Sequence, residues 1–161
     1  MGTPHEQVKI NKQKNYQKAL YYINRAISID TSNVLYWKLY AQINFRLNFL
    51  EEAEYGYKRT LELGNYELDT WLSRADILTQ LGEFEAAILS LVQAAEFYTD
   101  SAEIEFRLAG LYFKTTESNK GKYHLKNGYR IDSEYDFIIT ELFPELAAKA
   151  GLKDIITKYR T

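Results

Sequence analysis

The sequence predicts an all-α chain built as an array of antiparallel helix hairpins, and three observations point there. First, Trp37, Tyr40, Ala41, Ala53, Tyr57 and Thr60 are followed 34 residues later by Trp71, Arg74, Ala75, Ala87, Leu91 and Ala94. A second step of 34 reaches Glu105, Leu108, Ala109, Gly121, Leu125 and Gly128. Self-similarity at a fixed period of this size marks stacked supersecondary units, each too small to bury its apolar face alone. Second, apolar residues inside each unit recur at three- and four-residue intervals, which places them on one helix face. Third, two prolines and eight glycines in 161 residues leave long stretches free of helix breakers.

Taken in order, residues 1–14 form a weak leader or incomplete first helix, because only Val8 and Ile10 are apolar after Pro4. Residues 15–29 form the first strong helix, with Tyr16, Ala19, Leu20, Ile23, Ala26 and Ile27 on one stripe. Asp30, Thr31, Ser32 and Asn33 end it and cap the next, since short polar side chains bond nearby backbone. Helices follow over 34–47 and 51–63, joined by a tight turn at Asn48 and Phe49 and stopped by Gly64 and Asn65. The pair over 68–81 and 83–98 turns at Gly82, where positive φ lets the chain fold back. The pair over 102–114 and 120–131 turns at 115–119 and carries Gly121 and Gly128 in slots that hold Ala or Thr earlier. Those glycines imply close backbone approach or a softer unit. Repeats thus span 15–135, and 136–161 reads as a degenerate repeat or capping helices: Phe143 and Ile155 replace small residues, and Pro144 kinks a helix or starts one.

The small residues have a packing reason. Ala41, Ala75 and Ala109 on the first helices are expected to meet Ala53, Ala87 and Gly121 on the second, letting the axes approach to roughly 8–10 Å. The Trp, small-residue, aromatic, Ala pattern at this period resembles the tetratricopeptide repeat, strongly over 34–101 and more weakly toward both ends. That resemblance implies a right-handed superhelix, an α-α solenoid whose first helices line a concave groove that holds peptides or other protein segments. On the family's groove positions it places Lys38, Gln42, Phe45, Arg46, Leu72, Asp76, Thr79, Phe106, Phe113 and Lys114, with Leu35, Asp69, Gln80, Glu103 and Gly110 in the remaining slots. Phe45, Phe106 and Phe113 are read as outside the seam within each hairpin and so as a contact patch, with packing between successive repeats as the alternative. Lys38, Gln42, Arg46, Arg107 and Lys114 suggest a cationic lining for a peptide carboxylate. The match to the carboxylate-binding subgroup is poor, and a solvated mixed-charge face is the preferred reading: Ser73 and Glu103 stand where that subgroup has an amide and a lysine, and Asp69 and Asp76 repel an acidic tail.

Composition narrows the function. A net charge of −2 lacks the basic field that nucleic-acid binding needs. No apolar run approaches the roughly 18 residues of a membrane span. Without cysteine there are no disulfides, thiolate metal sites or thiol nucleophiles. His5 and His124 lack a second histidine at ligand spacing, and Gly121-Lys122 lacks the rest of a phosphate loop. Glu51-Glu52 reads as solvated surface charge. The expectation is therefore a non-catalytic scaffold with no cofactor and no metal, binding a protein or peptide partner, monomeric or weakly self-associating. A structural, self-assembly or regulatory module of a larger protein is the alternative. A reducing cytosol is the expected compartment, with a periplasm also compatible.

Overall fold

The computed structural model describes residues 3–160; Met1, Gly2, Thr161 and the side chains of His5 and Ala150 lie outside the described residues. Every regular element among them is helical. The chain forms two units, Met1–Thr70 and Trp71–Thr161.

The first unit holds α1 (Pro4–Ile29), α2 (Val34–Arg46) and α3 (Leu50–Glu62), with α1 and α3 each packed on α2. Helix α1 starts well before residue 15, where apolar content alone placed the first strong helix. Its N-terminus is fixed by a reciprocal cap: Glu6 N donates to Thr3 Oγ1 at 3.2 Å, and Thr3 N donates to Glu6 Oε2 at 2.8 Å. Pro4 at the first helical position completes the signal. The same cap is written in the sequence as Thr3 and Glu6, so local chemistry builds this end even though Val8 and Ile10 stay exposed.

Helices α2 and α3 meet through small residues. Ala41 and Ala53 are fully buried, and a methyl group added to Gly56 would lie 2.8 Å from both Ala41 Cβ and Tyr40 Cδ1. Gly56, one turn beyond Ala53, thus lies directly against Ala41. Trp37 lies over this hairpin, edge-on to Tyr40 and Tyr55 at 5.5 and 5.6 Å. Its indole N–H donates to Thr31 O at 2.8 Å, so the ring also anchors the preceding loop.

Helix α4 (Leu68–Gln80) crosses the division between the units. The second unit continues with α5 (Phe84–Ala95), α6 (Ala102–Lys114) and α7 (Ser118–Ile131). A 3-10 turn over Ser133–Asp136 leads into α8 (Phe137–Leu142), α9 (Pro144–Ala147) and α10 (Ala150–Arg160). Pro144 starts α9 at its first helical position. Helix α6 is the hub, packed on α5, α7 and α8, and it holds fully buried Phe106, Leu108 and Leu111.

The glycines of α7 are explained by rings. A Cβ on Gly121 would lie 2.9 Å from the Phe113 ring, and one on Gly128 would lie 2.9 Å from that of Phe106. Phe106 also sits edge-on to Tyr129 at 5.1 Å. Both phenylalanines therefore fill the α6–α7 seam, which corrects the expectation that they stand outside it. In this hairpin a ring on one helix meets a glycine on the other.

All three hairpin turns share one geometry. Asn48, Gly82 and Thr116 occupy the same repeat slot at φ 62°, 77° and 65°. The next residue's N–H reaches back to Asn44 O, Leu78 O and Tyr112 O at 2.8, 2.9 and 2.8 Å. This is the left-handed stop that satisfies the last helical carbonyls.

Candidate functional site

The first-helix residues expected to bind a partner fall into two groups, one in each unit. In the first unit, α2 carries Lys38, Gln42, Phe45 and Arg46. Lys38 is committed to its own chain, with Nζ 2.6 Å from Glu67 Oε2 and 3.2 Å from Asp69 Oδ2. Burial alone would lower its pKa, but hydrogen bonds and charge attraction from those two carboxylates outweigh it and hold it above the ordinary lysine value. Gln42 and Arg46 are exposed, and Phe45 is 41% exposed. Arg46 has no ion-pair partner among the described residues. Leu35 and Leu39, 61% and 37% exposed, extend the apolar surface of α2. Leu39 was not among the sequence candidates, although it lies one turn after Leu35 and the helical period carries it to nearly the same face.

In the second unit the candidates are largely used by the fold. Phe106 is fully buried and Leu72 is buried, so neither ring nor leucine presents a surface; this corrects Phe106 as a groove contact. Phe113 is half-buried against Gly121. Thr79 donates its hydroxyl to Ala75 O at 2.8 Å. Asp76 takes a two-pronged grip from Arg107, with Nε to Oδ1 at 2.7 Å and Nη2 to Oδ2 at 2.9 Å, while Arg107 Nη1 also donates to Glu103 O. Lys114 reaches Glu145 Oε1 at 2.7 Å and lies 5.7 Å from the Phe84 ring centre. The hydrogen bond from Lys114 is the main reason that the Glu145 carboxyl titrates below the usual range.

A rule connects these pairs. Lys38 with Asp69, Asp76 with Arg107, and Lys114 with Glu145 are each 31 residues apart. That is one repeat less about one helical turn, the offset at which consecutive first helices bring side chains opposite each other. The cationic lining suggested by the sequence is therefore mostly neutralised from within. The clue was legible as opposite charges at this spacing. The slot 31 residues beyond Arg46 holds Ile77, and no carboxylate stands there.

Histidine chemistry is also accounted for in part. His124 Nδ1 lies 2.6 Å from Glu105 Oε2 across the α6–α7 seam, and its ring stacks on Tyr112 at 5.3 Å. His5 lies outside the described side chains. Among the described residues no cluster of metal-binding side chains occurs, and no helix is long and apolar enough to cross a membrane.

No family model matches the sequence, and no curated protein matches it. Solved structures do match. MamA aligns at a TM-score of 0.74 with 17% identity, covering 94% of this chain and 88% of its own. YrrB, described as a TPR protein with an unusual peptide-binding site, aligns at 0.69 with 15% identity, covering 94% of this chain and 81% of its own. The helix-hairpin repeat fold is thus that of tetratricopeptide-repeat proteins. At such identities the likeness extends to the fold alone.

Proposed function

We propose that this chain is a non-catalytic interaction scaffold that binds a peptide or protein segment on its first-helix surface, with α2 as the principal contact. The observation that carries this reading is the contrast on α2 itself. Leu35, Leu39 and Phe45 leave apolar surface in water beside Arg46, a cation to which the chain supplies no carboxylate at the spacing that satisfies Lys38, Arg107 and Lys114. Exposed apolar side chains next to an uncommitted guanidinium suit a segment with apolar anchors and one acidic side chain, since charge-assisted bonds to Arg are strong and directional. The peptide-binding site of YrrB, on the same fold, supports the class of activity.

Selection from a displayed random-peptide library tests it. Selected peptides should be enriched in large apolar residues with an acidic residue. Their binding should weaken about tenfold or more on Arg46→Ala, the scale of one hydrogen-bonded charge, and also on Phe45→Ala, with circular dichroism unchanged. Equal binding to both variants would remove α2 as the contact. Self-assembly remains the competing reading, and light scattering against concentration separates it from a binder that stays monomeric.

A further inference from the structure

A second site lies at the other end of the chain, independent of the α2 surface. Helices α7, α8 and α10 enclose an open cavity of about 260 Å³. Ile139, fully buried, and Ile156, half-buried, form its apolar wall. Its polar side is built around Asp136. A single oxygen, Oδ2, accepts from Tyr129 Oη at 2.9 Å, from Arg160 Nε at 2.8 Å, and from Arg160 Nη2 at 2.6 Å. The hydroxyls of Thr140 and Thr157 are spent on Phe137 O and Lys153 O at 2.8 and 2.9 Å.

What remains uncommitted is donor capacity. Arg160 neutralises Asp136 with two of its five N–H groups and keeps three. Lys153 lines the cavity with no ion-pair partner among the described residues. The lining thus carries one excess positive charge, donors on one side and isoleucines on the other. A ligand that complements it accepts hydrogen bonds, carries one negative charge and brings a short apolar body. A dianion would bring a second charge to face Asp136 uncompensated. The modest volume leaves room for a short stem rather than a long chain.

We propose that this cavity binds a carboxylate on a short branched aliphatic stem, with Lys153 and Arg160 holding the carboxylate and Ile156 the stem, while fully buried Ile139 backs that wall from beneath. Two sources share that chemistry: a free branched-chain acid, and a polypeptide C-terminus ending in leucine. Asp136 is a positioning residue, since it fixes the Arg160 guanidinium against the wall. The burial that raises the Tyr129 phenol well above its usual pKa keeps it protonated and donating to Asp136.

The test is a titration of the full chain, watched through the isoleucine methyl resonances. The probes are 4-methylpentanoate, its methyl ester, and a short peptide ending in leucine as the free acid and as the amide. Saturable shifts of the Ile139 and Ile156 methyls with the free acid, absent with the ester, are expected. Lys153→Met should weaken binding about tenfold or more, and Lys153→Arg should restore most of it. Lys153 is exposed, so neither change disturbs the core. Peptide acid binding without amide binding assigns a chain end, and binding of 4-methylpentanoate alone assigns a small molecule; both uphold the carboxylate site. Equal shifts from acid and ester, unchanged binding in Lys153→Met, or no saturation by acid or peptide would overturn it.

Discussion

At Thr116 a β-branched residue holds a left-handed backbone position that Asn48 and Gly82 fill in the two preceding turns. For a non-glycine residue this region costs roughly 1–2 kcal/mol, and asparagine tolerates it better because its short polar side chain bonds locally. Thr116→Asn is therefore expected to stabilise the chain by about 0.5–1 kcal/mol. A urea titration checks it, and a lower midpoint would show that Thr116 makes a contribution elsewhere that outweighs the strain. Gly110 presents the opposite case. A methyl group there would fall inside the Phe143 ring, which is itself 1% exposed. Gly110→Ala should cost about 1–3 kcal/mol by overpacking. Combined with Phe143→Leu it should cost less than the two single changes added together, because the smaller side chain leaves room. Strict additivity would refute the contact. This pairing explains why residue 143 is large where Ala41, Ala75 and Ala109 are small: the space comes from a glycine one repeat earlier. From sequence alone, the departure at 143 was visible and its partner was not, since nothing in the repeat pattern says which small residue a ring will lie on.

Between elements, the ion pairs at 31-residue spacing tie one first helix to the next, and their burial sets their worth. Arg107 and Asp76 have side chains 13% and 24% exposed, so Asp76→Ala strands a largely buried guanidinium and should cost about 1–3 kcal/mol. Lys114 and Glu145 are more exposed, and removing that pair should cost less than about 1 kcal/mol. The Glu145 pair also has a pH signature. Its carboxyl titrates below the ordinary glutamate value in the folded chain, so its stabilisation is present above that value and is lost as pH falls through the depressed one. Urea midpoints of Glu145→Gln and the parent chain should thus differ slightly at neutral pH and converge in acid; a gap that widens in acid would contradict the pairing. The helices themselves were largely legible. The sequence boundaries of α6 agree with the structure to the residue, and those of α2, α3, α4 and α7 lie within two residues. Helix α1 begins ahead of its apolar stripe because the Thr3–Glu6 cap sets its start. The candidate site fared worse for a different reason. Slot positions name residues on a helix face but do not say whether a neighbour's carboxylate or glycine has already taken them, as with Lys38, Lys114 and Phe106.

Over the whole chain, a net charge of −2 hides two cationic helices. Helix α1 carries Lys9, Lys12, Lys14, Lys18 and Arg25 against Glu6, and α10 carries Lys153, Lys158 and Arg160 against Asp154, all exposed. Contact between two copies through these helices, α1 on α10 or either on itself, would set positive against positive. Val8 and Ile10 are the apolar reward for such a contact, and both are only half covered as they stand. Fully burying a side chain of this kind contributes about 1.5–3 kcal/mol, an upper bound here, while association itself costs about 4–15 kcal/mol in lost freedom. Charge repulsion therefore faces little opposing attraction. The expected result is a molar mass by light scattering that stays at 18.8 kDa as concentration rises at low ionic strength. Salt near 1 M shortens the screening length to about 3 Å and removes the repulsion, so any weak stacking should emerge only there. Mass growth already present at low salt would mean that another surface drives assembly. The exposed leucines and Phe45 of α2 would then be the first place to look, and Phe45→Glu, which sets a charge in that surface, should return the chain to a monomer.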